Sequence, residues 1–142
     1  MSKCSKLKLY YQNIRGMRTK GKAFFEKLIQ NSVDVVLLTK TWLKDELYDS
    51  GFFDNRYVVF RVDRNKEETC MSRGGGCLVA IKSELASMRM REWELTKEDI
   101  WISIIHENGY KTHINVRYIE GKGRLPDYEV HFNKIGDIVT SL

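Results

Sequence analysis

An apolar run at residues 33–38 breaks off into Thr39-Lys40-Thr41-Trp42-Leu43, and an alternating run at residues 7–13 ends in Gln12-Asn13-Ile14-Arg15-Gly16. Both runs read as strands whose polar tips follow directly. Active sites collect at the carboxyl ends of such strands in α/β folds. A magnesium ion held there would ask for hard oxygen ligands, one or two of them carboxylates. This chain instead places the ammonium of Lys40 at the tip of its most apolar early strand. At roughly 4 Å and an effective dielectric near 20, each pair of unit charges interacts by roughly 4 kcal/mol, so a divalent ion beside Lys40 meets roughly 8 kcal/mol of repulsion.

The elements that must carry these tips follow from periodicity. Residues 20–32 place Phe24, Phe25, Leu28 and Ile29 on one helical face and Lys22, Glu26 and Lys27 away from it. Strand, helix and buried strand in succession suggest a sheet with helices laid on it. Residues 42–53 are mixed and read as an irregular loop or short helix, residues 57–62 as a strand, and residues 63–73 as a polar loop. Gly74, Gly75 and Gly76 permit a tight turn into an apolar strand at residues 77–81. Residues 87–93 alternate Met88 and Met90 with Arg89 and Arg91, which predicts a strand with one wet face. Residues 100–105 are apolar on both faces. Asn108-Gly109 then signals a hairpin with a type I′ turn, whose two central residues need positive φ. The returning strand alternates Tyr110, Thr112, Ile114, Val116 and Tyr118 with Lys111, His113, Asn115 and Arg117. Pro126 suits the first turn of a last helix, in which Tyr128, Phe132, Ile135, Val139 and Leu142 recur at spacings of three and four.

Bulk properties set the outer limits. The chain has 142 residues, read as one domain spanning residues 1–142, and 42% of them are hydrophobic, enough for an ordinary core. No apolar run approaches the roughly 18 residues that span a bilayer, and no membrane partner is expected. Three cysteines, Cys4, Cys70 and Cys77, form neither a disulfide framework nor a zinc spacing, which suits a reduced cytoplasmic or nuclear setting. Cys77, inside an apolar run, reads as a small buried hydrophobe. The net charge of +5 permits contact with a phosphate backbone without demanding it. His106, His113 and His131 have no metal-ligand spacing, and His113 is expected to be exposed on the polar side of the hairpin. The glycine run lacks the Lys-Ser/Thr that follows a nucleotide-cradling loop.

Taken in order, Asn-Ile-Arg-Gly at residues 13–16, Thr-Lys-Thr-Trp-Leu at 39–43, Arg-Val-Asp-Arg at 61–64, Arg-Gly-Gly-Gly at 73–76 and Asn-Val-Arg-Tyr-Ile at 115–119 resemble the apurinic-endonuclease-like domain of non-LTR retrotransposons, within the endonuclease/exonuclease/phosphatase family. The resemblance runs from about Leu7 to the last helix and corresponds to that family's N-terminal half. It implies an α/β (α+β) fold with a mixed, mostly antiparallel sheet and flanking helices, about one half of a four-layer α-β-β-α sandwich. The family cleaves DNA phosphodiester bonds with magnesium. By this resemblance Asn13 matches an Asn beside the metal and scissile phosphate, Tyr118 a strand-end Tyr that supports the phosphate, and Lys40 the metal-binding Glu. Arg15, Arg61, Arg64 and Arg73 are candidates for contact with the DNA backbone. Each residue also has a structural reading. Asn13 closes a turn before Gly16, Tyr118 is the last core aromatic of a hairpin, and Arg61 and Arg64 form a solvated loop face.

The departures from the family pattern carry as much weight as the matches. Lys40 reverses the charge of a metal ligand, and Asp45 and Glu46, the nearest carboxylates, lie past the strand tip. Ile119-Glu120-Gly121 replaces a proline-containing turn. The family's Gly-Asp-Phe-Asn and Ser-Asp-His segments, which stabilise the leaving group and activate water, have no counterpart, and Gly136-Asp137-Ile138 falls inside the last helix. Such groups typically contribute orders of magnitude in rate. The expectation is a truncated, catalytically inactive endonuclease-like domain with no bound metal or other cofactor. DNA is the expected partner. An exposed inner sheet face would promote self-association, docking of a partner, or poor solubility. The alternatives are a nucleic-acid-binding remnant that does not cleave, an active metal-dependent nuclease and an unrelated α/β interaction module.

Overall fold

The computed structural model describes residues 6–17, 21–41, 53–63, 75–95, 98–118 and 125–142. Among them the chain runs β1 (Leu9–Asn13), α1 (Gly21–Gln30), β2 (Val35–Thr39), β3 (Tyr57–Val62), β4 (Cys77–Lys82), β5 (Ala86–Arg89), a 3-10 turn (Arg91–Trp93), β6 (Asp99–Ile105), β7 (Lys111–Arg117) and α2 (Leu125–Ser141). The strands form two sheets, one ordered β1-β2-β4-β3 and the other β5-β6-β7. Only β1 and β2 pair in parallel; every other pairing is antiparallel. The fold is therefore a mixed, mostly antiparallel α+β arrangement, as the sequence implies. The expected loop at residues 63–73 and the mixed stretch at 42–53 fall almost wholly outside the described residues, as do Cys4, Cys70, Arg64, Arg73, Asp45 and Glu46.

Two apolar layers hold the first sheet. On one side Phe24 and Leu28 of α1 meet Val36, Leu38, Leu78 and Ala80, with Phe25 and Ile29 packed at the margin. On the other side Val35, Val79 and Ile81 face Ile100, Ile102, Ile104, Ile114 and Val116 of the second sheet. The β2 run is apolar throughout because it is covered on both faces, as a buried strand of this kind requires. The expectation of an exposed inner face is thus corrected. Residues 86–117, whose last two strands read in sequence as a hairpin, form a second sheet that covers it. Uncovered apolar surface lies elsewhere, at the margin. The second sheet lies over β2, β4 and β3, and Leu9 and Tyr11 of β1 stay exposed.

Three local expectations also change. The strand predicted over residues 87–93 stops at Arg89. Its guanidinium is gripped by Glu94, with Nε and Nη2 donating at 2.8 and 2.7 Å. The chain then turns through residues 91–93, and Trp93 packs edge-on against Trp101 and His113. The wet face carries Met88 rather than the arginine. In the hairpin only Gly109 has positive φ, at +87°. Gly109 N donates to His106 O and His106 N to Tyr110 O, so the loop has three residues, a type I turn closed by a left-handed glycine. In α2 the predicted stripe faces outward. Phe132, Val139 and Leu142 are exposed and Ile135 is half-buried, while His131 and Ile138 are the buried residues among the described side chains; Tyr128 lies outside them.

Candidate functional site

The pairing registers place Asn13, Thr39, Cys77 and Val62 in one row across the first sheet. The loop after β1 follows the loop after β2. Ile14 N, Gly16 N and Met17 N donate to the carbonyls of Thr39, Lys40 and Thr41. Thr41 N in turn donates to Gly76 O at 3.4 Å. The second sheet ends here too, because Tyr118 N donates to Glu98 O and Gly76 N donates to Glu98 Oε1 at 2.6 Å. The strand ends of both sheets therefore meet in one cluster.

The backbone of this cluster is held in uncommon conformations. Arg15, Lys40 and Glu98 have φ of 48°, 53° and 59°, and Gly16, Gly75 and Gly76 are also left-handed. Non-glycine residues rarely adopt this region, and a surrounding structure must over-determine it. At Lys40 the twist turns the side chain toward the second sheet. Its Nζ sits over the Tyr118 ring, 5.3 Å from the centroid. At that distance the ring quadrupole attracts the ammonium by about 0.5–1 kcal/mol at an exposed site. Lys40 is half-buried, Asn13 and Arg15 are exposed, and Tyr118 is half-buried against the inter-sheet core.

The sequence candidates are therefore brought together in part. Asn13, Arg15, Lys40 and Tyr118 share one end of the molecule. Arg61 lies on β3, next to Val62 of the same row, but its guanidinium is engaged by Asp63 at 3.2 Å and is largely buried. Arg64 and Arg73 lie outside the described residues. His113 is half-buried rather than exposed, sharing a 2.7 Å hydrogen bond with Ser103 Oγ. His131 is buried in α2 and accepts a hydrogen bond at Nδ1 from Arg117 Nη1 at 3.1 Å.

Sequence reading missed Glu98, the carboxylate of the cluster. It is 9% exposed, and its carboxyl receives the Gly76 N–H. The acidic Glu98-Asp99 step just before the apolar run at residues 100–105 was the available signal. It also missed Tyr11, whose hydroxyl shares a 3.2 Å hydrogen bond with Thr39 Oγ1. Cys77 is free and buried, and its Sγ donates to Glu98 O at 3.3 Å. Burial, helped by the nearby Glu98 charge, pushes its thiol up to about 12.

These donors do not fit a magnesium ion. Among the described residues the strand ends offer the Asn13 amide, the Lys40 ammonium, the Tyr11 and Tyr118 phenols, and two carboxylates already engaged, Glu98 by a backbone N–H and Asp63 by Arg61. Among the described residues no three His, Cys, Asp or Glu side chains converge to hold a metal. Lys40 and Arg15 give this end of the molecule positive charge, which favours an anion over a cation.

The fold has solved counterparts. The chain is similar to the endonuclease domain of TRAS1, a telomere-specific non-LTR retrotransposon, with a TM-score of 0.70 and 9% identity over 94% of this chain and 54% of that one. It is also similar to the AP endonuclease LMAP from Leishmania major, with a TM-score of 0.64 and 14% identity over 88% of this chain and 44% of that one. The chain thus spans about half the length of these solved proteins. No family model matches the sequence, and no curated protein matches it. At such low identity the likeness is one of architecture: this chain has a nuclease-like fold of the kind seen in the TRAS1 endonuclease domain and AP endonuclease.

Proposed function

We propose that this chain is a catalytically silent, endonuclease-like domain that binds a DNA phosphodiester backbone without cutting it. One observation carries the reading. Lys40 follows the last residue of β2, one position past the Thr39 that pairs with Asn13, and lies over Tyr118, where a carboxylate would be needed to hold magnesium. An ammonium there repels a divalent cation and attracts a phosphate oxygen. Lys40 then takes the phosphate as a fixed positive charge, Arg15 adds a second from the neighbouring loop, and the Asn13 amide donates to a phosphate oxygen. Nothing in this donor set activates a water or protonates a leaving group. The nuclease-like fold and the mildly basic charge of +5 support nucleic acid as the partner.

The test is the salt dependence of DNA binding, followed by fluorescence anisotropy. Each neutralised phosphate contributes about 0.9 to the slope of log affinity against log salt. Lys40→Ala is expected to weaken binding roughly tenfold, the scale of one hydrogen bond to a charged group, and to lower that slope by about one. An affinity and slope that both survive the substitution would overturn the proposal.

A further inference from the structure

Tyr11 is 60% exposed on the edge strand β1. Alternation places it on the same side of the strand as Asn13, two residues nearer the strand end. Its register partner, Leu37, packs toward the second sheet, so Tyr11 lies on the side of the first sheet that Lys40 also faces. The ring is not loose. Its hydroxyl is tied to Thr39 Oγ1, and Thr39 is fully enclosed and adjoins Lys40. Other aromatic rings are exposed, but among the described residues none of them is tied to this cluster. Tyr110 lies at the hairpin tip, Phe132 lies on α2, and Tyr10 tilts against Phe24 of α1. An anchored phenol with an open face, one residue's reach from a cation, is the arrangement that single-strand binders use. The cation follows the backbone and the ring stacks an unpaired base.

From this juxtaposition we infer that the site takes single-stranded nucleic acid, with an unpaired base stacked on Tyr11 and the adjoining phosphate held by Lys40. The inference rests on the phosphate-binding reading and adds the substrate class to it. A duplex keeps its bases stacked on one another and offers Tyr11 no face to cover, so duplex affinity comes from the phosphate contacts alone. The hydroxyl acts as an anchor for the ring and the ring supplies the stacking. Tyr11→Phe therefore retains most of the binding that Tyr11→Ala loses.

The experiment compares oligodeoxythymidylate, oligouridylate and a duplex of equal length, binding to the unaltered chain and to Tyr11→Ala, Tyr11→Phe and Lys40→Ala. Circular dichroism checks that each variant is folded; Tyr11 is exposed, so none should unfold. Tyr11→Ala is expected to lose about tenfold on the single strands and less than twofold on the duplex, with Tyr11→Phe close to the unaltered protein. Loss on one single strand but not the other supports the inference and identifies the sugar it accepts. Equal loss on duplex and single strand, or none on either, overturns it. Lys40→Ala separates the two proposals. If it weakens nothing while Tyr11→Ala remains selective, the phosphate reading fails and the stacking platform stands. Absence of binding to all three probes overturns both.

Discussion

Lys40 and Cys77 show how neighbours change what a side chain can do. In the sequence Lys40 is one of 24 basic residues. In the fold a left-handed backbone and the Tyr118 ring give it a direction. Its position at the end of β2 was legible, because the apolar run breaks off at Thr39. Its contact with Tyr118 was not, because 78 positions separate them along the chain and only the sheet packing brings them together. Cys77 was legible as a buried hydrophobe, and its surroundings make it chemically inert. With the thiol raised from 9.0 to about 12, the thiolate fraction at pH 8 falls roughly a thousandfold, and the thiolate is the reactive form. Iodoacetamide at pH 8 should leave the Cys77 peptide unmodified in the native protein and label it in denaturant, as read by peptide mass mapping. Equal labelling in both states would show that Cys77 is not enclosed as described.

Element by element, the period in the sequence located helices and strands better than it oriented them. Both helices and every strand of the first sheet lie where apolar spacing puts them. The phase of α2 does not follow from it. A stripe at residues 132, 135, 139 and 142 and one at 131, 134, 135 and 138 differ by about one residue, a rotation of about 100° on a helix. Burial of His131 against Arg117 selects the second. That choice has a pH signature. Burial first, and the Arg117 charge second, lower the His131 pKa below its ordinary 6.5. The unfolded chain then binds the proton more readily than the folded one, so stability falls as pH drops below about 6.5 and is fully present above it. His131→Gln should flatten this part of the stability-versus-pH curve, measured by urea unfolding between pH 5 and 7.5. A curve of unchanged slope would show that His131 is not the group responsible. The β5 error has a similar origin: the Arg89–Glu94 ion pair and the Trp93–Trp101 contact end the strand through partners that alternation cannot reveal.

For the whole molecule, the fold class and a mixed, mostly antiparallel pairing were legible, and the strand order and the number of layers were not. The sequence suggested one sheet with a bare inner face. The chain instead folds residues 86–117 across it as a second sheet, and among the described residues most exposed large apolar side chains lie on β1 and along α2, with Val58, Met88, Ile105 and Tyr110 elsewhere. Hairpin signals show that two strands pair, but they do not say which sheet the pair joins. The second sheet matters for the site because it carries Tyr118 and Glu98 to the strand ends of the first. The central claim concerns what this assembled end can and cannot do. Its most direct test is nicking of supercoiled DNA by the 142-residue chain, with magnesium and with chelator, run beside Lys40→Glu. Intact supercoils are expected in every lane. The unaltered chain has an ammonium where a carboxylate would hold the metal, and one restored carboxylate brings no group to activate water. Magnesium-dependent nicking by the unaltered chain, abolished by chelator, would contradict that claim.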